Sequence, residues 1–199
     1  MRRLLVCLAW LLAVAMAPLH AQDLQPVPPL SGRVVDQTGT LTPVQVQALG
    51  AKLEAVERER GSQLVVLMVA STLPEDIAAY AQRVGDAWKV GRKDVGDGLL
   101  IVVAKEDRKV RIEVAKALEG AVPDLAARQI ITDRITPAFR AGDYAGGLNA
   151  AVDRLAARIG TEGLPEPTNR PTAQRGKQGF NLEDMAIFFF VGVPVLGTV

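Results

Sequence analysis

The sequence predicts a three-layer α/β/α sandwich built on a small mixed, mostly parallel sheet. Three observations lead there. Two uninterrupted apolar runs, Gln63-Leu-Val-Val-Leu-Met-Val-Ala70 and Leu99-Leu-Ile-Val-Val103, have the composition of strands buried on both faces. Each follows a stretch whose apolar residues recur at helical spacing, the β-α-β alternation of a parallel sheet. A further run, Val110-Arg-Ile-Glu-Val114, alternates apolar with charged residues, as a strand with one wet face does.

In chain order, Val34-Val35 is a short strand. Thr42-Pro43-Val44-Gln45 is a helix start: Thr42 caps, Pro43 suits the first turn and Gln45 completes a capping box. Val46, Leu49, Leu53 and Val56 keep helical spacing, and Gly61 stops the helix. A second helix is expected over Pro74–Val90, with Tyr80 and Trp88 in the core and Gly91 at its end. Lys105-Glu-Asp-Arg108 is a polar turn that joins Leu99–Val103 to Val110–Val114 as a hairpin. Residues 124–140 are helical, bent before Pro137, and Tyr144–Ile159 is a last helix. The core should contain Leu64, Val66, Leu67, Val69, Leu100, Ile101, Val102 and Ile112.

Both ends are apolar. Arg2-Arg3, the run Leu4–Met16 and the small residue Ala21 make residues 1–21 a secretory signal peptide, with an uncleaved anchor as the alternative. Residues 22–30 form a Pro-rich, extended leader, and 31–160 the folded domain. Residues 161–181 are a flexible linker rich in Gly, Pro and polar side chains. Met185 to Val199 carries no charge and spans about 22 Å as a helix, short of a hydrocarbon core of about 30 Å. Residues 182–199 are therefore expected to begin a transmembrane helix that continues beyond Val199, with a buried core helix as the bland alternative. The domain is then exported to the periplasm or an equivalent outer compartment and tethered to the cell membrane.

Composition removes whole classes of chemistry. The only cysteine, Cys7, and the only histidine, His20, both lie in the segment expected to be cleaved. That excludes disulfides, thiol nucleophiles, histidine-dependent triads and His/Cys zinc sites from the mature domain. Lys+Arg number 23 against Asp+Glu 22, and aromatics are 5%, so neither charge nor stacking surface points to nucleic acid.

An ordered set of short motifs resembles the TPM domain, a family that includes bacterial membrane proteins and phosphatase-like proteins. It comprises Val35-Asp36-x-x-Gly39-x-Leu41, Gly61-x-Gln63-Leu-Val-Val, Tyr80-Ala81, Trp88-x-x-Gly91 and Asp97-Gly98-Leu99-Leu100. Arg111-Ile-Glu-Val114, Leu118-Glu-Gly-x-x-x-Asp124 and Phe139-x-x-Gly142-Asp143-Tyr144-x-x-Gly147 complete it. The family commonly has Gly-x-Gly where this chain has Ala115 and Ala117, and alanine hinders the close backbone approach to a phosphate that glycine permits.

The resemblance implies divalent-metal binding through acidic loop residues. The matching carboxylates are Asp97, Glu119 and Asp124 as one cluster, with Asp36 expected at the opposite sheet edge near Asp107. An all-oxygen donor set favours Ca2+ or Mg2+, either of which activates water. The plain alternatives are a helix cap for Asp124 and turn roles for Asp36 and Asp97. No catalytic residue is assigned. Arg108, Lys109 and Arg111 make a small basic patch, ordinarily solvated surface and otherwise an anion site. Two functions follow: an extracytoplasmic interaction or assembly and maintenance module with an envelope protein partner, or a metal-dependent, acid-phosphatase-like hydrolase of phosphomonoesters.

Overall fold

A computed structural model describes residues 24–160. The signal segment, the polar linker and the terminal apolar segment lie outside the described residues. Among the described residues no helix is long and apolar enough to cross a membrane.

The chain runs β1 (Val34–Asp36), α1 (Pro43–Arg60), β2 (Gln63–Val69), α2 (Ile77–Trp88), β3 (Gly98–Ala104) and β4 (Lys109–Val114). A 3-10 turn (Lys116–Leu118), α3 (Asp124–Ile130), a π-helical turn (Ile131–Ile135), α4 (Thr136–Arg140) and α5 (Tyr144–Ile159) follow. The sheet order is β1-β2-β3-β4. β1 pairs with β2 and β2 with β3 in parallel, and β3 with β4 antiparallel, so the sheet is mixed and mostly parallel.

The two apolar runs are the two central strands, and alternate side chains go to opposite layers. Leu64, Val66 and Met68 of β2, with Leu99, Ile101 and Val103 of β3, pack against Leu49 and Leu53 of α1 and Leu148, Val152 and Leu155 of α5. Val65, Leu67 and Val69, with Leu100, Val102 and Ala104, pack against Tyr80, Ala81 and Val84 of α2. The eight strand residues expected in the core and Tyr80 are buried, whereas Trp88 is half-buried against it.

Local signals fix several boundaries. Thr42 accepts from the Gln45 amide at 3.3 Å while Gln45 Oε1 accepts from the Thr42 amide at 2.8 Å, completing the capping box. Gly61 ends α1 at φ +80°. α2 starts later than expected, at Ile77, because Asp76 accepts from the Ala78 amide at 2.9 Å and caps there. It ends at Trp88 on Lys89, which holds φ +52° and turns the chain before Gly91 is reached. The helical stretch 124–140 widens to a π turn upstream of Pro137, which lacks the N–H an α-helical bond to Asp133 would need.

The leader is extended but not detached. Trp88 Nε1 donates to the Pro28 carbonyl at 2.7 Å, Arg83 Nη2 to Gln25 O at 2.7 Å, and the Tyr80 hydroxyl to Pro26 O at 3.3 Å. Val27 packs onto the α2 side of the core. Burial pushes the Tyr80 phenol up from its ordinary pKa, against the opposing charge of Arg83. The proline-rich sequence suits this docking: its carbonyls are free of internal hydrogen bonds and face the donors of α2. Trp88→Phe, which removes one of these bonds and keeps a ring, should cost about 1 kcal/mol in urea denaturation. It should also speed proteolysis of the leader while leaving the domain intact.

Candidate functional site

The candidate carboxylates fall at two opposite edges of the sheet. Asp97 immediately precedes β3, and the turns carrying Glu119 and Asp124 follow β4, so these three belong to one edge. Asp36 ends β1 and lies at the other edge, where Asp107 occupies the β3–β4 turn.

Asp97 is the most constrained of them. Its residue has 0% solvent exposure. Oδ2 accepts from Arg92 Nε at 2.8 Å and pairs with Nη2 at 2.7 Å, so two guanidinium nitrogens converge on one carboxylate oxygen. Oδ1 accepts from the Arg92 amide at 2.8 Å. The five-residue return from Arg92 to Asp97 is thus closed on itself. Its crossing point depends on two glycines. A Cβ at Gly98 would lie 2.0 Å from the Val90 carbonyl oxygen, and one at Gly91, which holds φ +100°, would lie 2.3 Å from the Gly98 nitrogen. Trp88-x-x-Gly91 and Asp97-Gly98 are therefore parts of one close backbone crossing.

The 3-10 turn lies against this crossing. The Ala115 amide donates to Gly98 O at 2.9 Å and the Ala117 amide to Gly96 O at 3.3 Å. Ala115 holds φ −70°, an ordinary backbone conformation for alanine. A cleft of about 500 Å³ opens at this edge between α2 and the start of β3, with Lys89, Arg92, Lys93 and Glu113 among its walls. None of Asp97, Glu119, Asp124 and Asp36 lines it. Glu119 is exposed. Asp124 opens the first turn of α3 while Pro123 holds the cap position, and its carboxylate faces Arg111 at 3.6 Å and Arg128 at 4.0 Å.

Asp36 organises the opposite edge. Oδ1 accepts from the Thr38 amide at 2.8 Å and the Thr38 hydroxyl at 2.6 Å, and Oδ2 from the Leu41 amide at 2.8 Å. Burial raises its pKa, but these donors outweigh burial and hold the carboxyl below its ordinary range. Asp107 is also held low, first by the Thr72 amide at 2.9 Å and, against some desolvation, by the Ser71 hydroxyl at 2.7 Å and by Lys109.

The donor set does not fit a Ca2+ or Mg2+ centre in this arrangement. Asp97 is closed off by a guanidinium, Asp124 sits between two arginines, Glu119 is exposed and Asp36 is at the other edge. Among the described residues no three acidic, His or Cys side chains are placed to hold an ion. The basic patch is also divided. Arg111 turns to Glu113 at 3.1 Å and to Asp124, whereas Arg108 and Lys109 stand at the hairpin turn. Sequence reasoning missed Arg92 as the partner of Asp97. The signal was available, since a carboxylate abutting a strand buried on both faces needs a nearby cation.

The model of the TPM domain family matches residues 34–158, more than half of the chain. Similar solved structures include the N-terminal domain of a protein from P. gingivalis, determined by solution NMR, at 29% identity and a TM-score of 0.61. That match covers 67% of this chain and 88% of that one. The BA42 protein of Bizionia argentinensis is 22% identical with a TM-score of 0.53, over 60% of this chain and 81% of that one. The N-terminal domain of the cg2496 protein of Corynebacterium glutamicum is 17% identical with a TM-score of 0.52, over 68% and 86%. The last two speak to the fold alone. No curated protein gives a significant match.

Two expected outcomes follow from the carboxylate geometry. Asp97→Ala removes a fully buried carboxylate that holds both the Arg92 guanidinium and the Arg92 amide, and should cost about 3–5 kcal/mol in urea denaturation, far more than an exposed pair would. Asp36 and Asp107 ionise in the folded chain below their ordinary value of 3.8. Their contribution is complete above that value and is lost as pH falls through the lower folded values. Asp36→Asn should therefore lower the melting temperature near neutral pH and shrink the further fall between about pH 5 and pH 2.

Proposed function

The chain belongs to the TPM domain family, and from that premise we propose that it is an exported, membrane-anchored module. In this reading it binds an envelope protein partner and serves assembly or maintenance rather than turnover. The observation that carries the reading is the engagement of the acidic side chains in the scaffold. Asp97 is locked to Arg92, and Asp36 organises its own turn through Thr38 and Leu41. A domain whose acidic residues hold its loops in place offers fixed surfaces to a partner. The layout of the sequence supports the location: a basic, apolar start, a folded domain, a polar stretch and an uncharged apolar end.

The alternative, a metal-dependent phosphatase acting on phosphomonoesters, has less support. It would require Asp97 to exchange the Arg92 guanidinium for a metal ion, and Ala115 and Ala117 in place of the family's common glycines narrow the backbone's approach to a phosphate.

Protease added to bacterial spheroplasts expressing the full chain tests the proposal. The domain should be digested along with a periplasmic control, leaving a membrane-protected fragment from the apolar end. A domain that survives while the control is cut would overturn it.

A further inference from the structure

A second cleft, of about 540 Å³, opens at the carboxyl end of β3, at the edge opposite Asp97. Its walls come from three segments far apart in sequence. The β3–β4 turn supplies Lys105, Arg108 and Lys109, α4 supplies Phe139 and Arg140, and α5 begins with Tyr144. Each segment is there for a local reason. Arg108 holds φ +54°, which makes the turn tight and keeps the three cations close in sequence and space. The π turn precedes α4, so Phe139 and Arg140 stand on a helix whose path is reset just upstream. Asp143 caps α5 by accepting from the Gly146 amide at 2.7 Å, which fixes Tyr144 at the helix start.

The charges in this cleft are of one sign. Lys105, Arg108, Lys109 and Arg140 are exposed, and no carboxylate lines the cleft. None of the four forms a salt bridge among the described residues. Of the nearby acids, Asp107 accepts from Ser71 and Thr72 and feels the charge of Lys109, Asp143 accepts from Gly146, and Glu106 is exposed and lies outside the cleft lining. Like charges gathered in a concave, partly apolar site focus a positive potential and lower the cost of an anion there. The floor is aromatic. The Phe139 and Tyr144 rings lie 4.6 Å apart between centroids at 40°, both half-buried, and Lys105 Nζ stands 5.7 Å from the Tyr144 ring centroid. The volume suits a small molecule, and the position, outside the carboxyl end of a parallel strand, is where open α/β sheets take ligands.

We propose that this cleft binds a small polyanion carrying a flat apolar group, of the chemistry of a nucleoside or aryl polyphosphate. The cations hold the anionic end and the Phe139–Tyr144 pair supports the flat one. A membrane-borne phosphate shares the anionic end but lacks the flat group that the two rings would support. The inference is independent of the envelope reading above and of any hydrolysis.

Titration calorimetry on the full-length chain, kept in a non-ionic detergent because of its apolar ends, tests it with ADP, pyrophosphate and adenosine as probes. ADP should bind saturably, more tightly than pyrophosphate, with adenosine giving no detectable heat. Lys105→Glu combined with Arg140→Glu, both at exposed positions, should weaken ADP at least tenfold while the melting temperature stays unchanged. Three results would overturn the proposal: no saturable heat from either ADP or pyrophosphate, equal ADP binding by the double variant, or binding confined to bicelles doped with phosphatidylglycerol.

Discussion

The contact of Asp97 with both the guanidinium and the amide of Arg92 fixes where β3 begins, and the sheet depends on that point. β3 is paired on both sides, in parallel with β2 from Gln63↔Gly98 onward and antiparallel with β4 from Leu99↔Val114. A slip of one residue would exchange its two sets of buried side chains between the α1/α5 layer and the α2 layer. Burial of the ion pair raises the stakes of holding that register. Removing Arg92 leaves the fully buried Asp97 carboxylate without its guanidinium, so the loop has one strongly preferred closure. Gly91 and Gly98 let the backbone come close enough for that closure to form.

The same economy of side chains shapes the opposite edge. Asp36 satisfies the amides of Thr38 and Leu41 before α1 begins, and Asp107 ties the β3–β4 turn to the chain leaving β2 at Ser71 and Thr72. With these acids turned inward to backbone and hydroxyl donors, the cations of the hairpin turn are left facing the cleft above Phe139 and Tyr144. Acidic residues thus build both edges, while the unmatched charge at the β3 carboxyl end is positive, although the chain as a whole carries only +1. The near balance of total charge conceals a local excess created by where the carboxylates are consumed.

Much of the fold was legible because its signals are local. Gln63–Val69 and Gly98–Ala104 have no polar alternation, so both had to be covered on two faces. Thr42 with Gln45, and Tyr144 to Ile159, define helix limits within a few residues of sequence. The missing parts depend on distant partners. The leader's docking rests on Trp88, Tyr80 and Arg83 meeting carbonyls more than fifty residues earlier, which no periodicity reports. The start of α2 lies at Ile77 rather than Pro74 because Asp76 caps it, a choice that helical spacing alone does not make. At the candidate site, sequence could place Asp97 beside Glu119 and Asp124 along one edge and Asp36 apart from them. It could not tell that Arg92 occupies the carboxylate that a metal would need. The basic cleft was half visible, in Arg108 and Lys109, but Arg140 and the two rings reach it only through the turn after α3.

A double-mutant cycle on Arg92 and Asp97, measured by urea denaturation, tests the lock most directly. Replacing Arg92 by Met and Asp97 by Asn, singly and together, isolates the coupling between the two side chains. A lock of this kind predicts a coupling of about 2–3 kcal/mol, well above the 1 kcal/mol ceiling typical of an exposed pair, with the double variant less damaged than the sum of the single ones. Additive losses, with a coupling near zero, would contradict it.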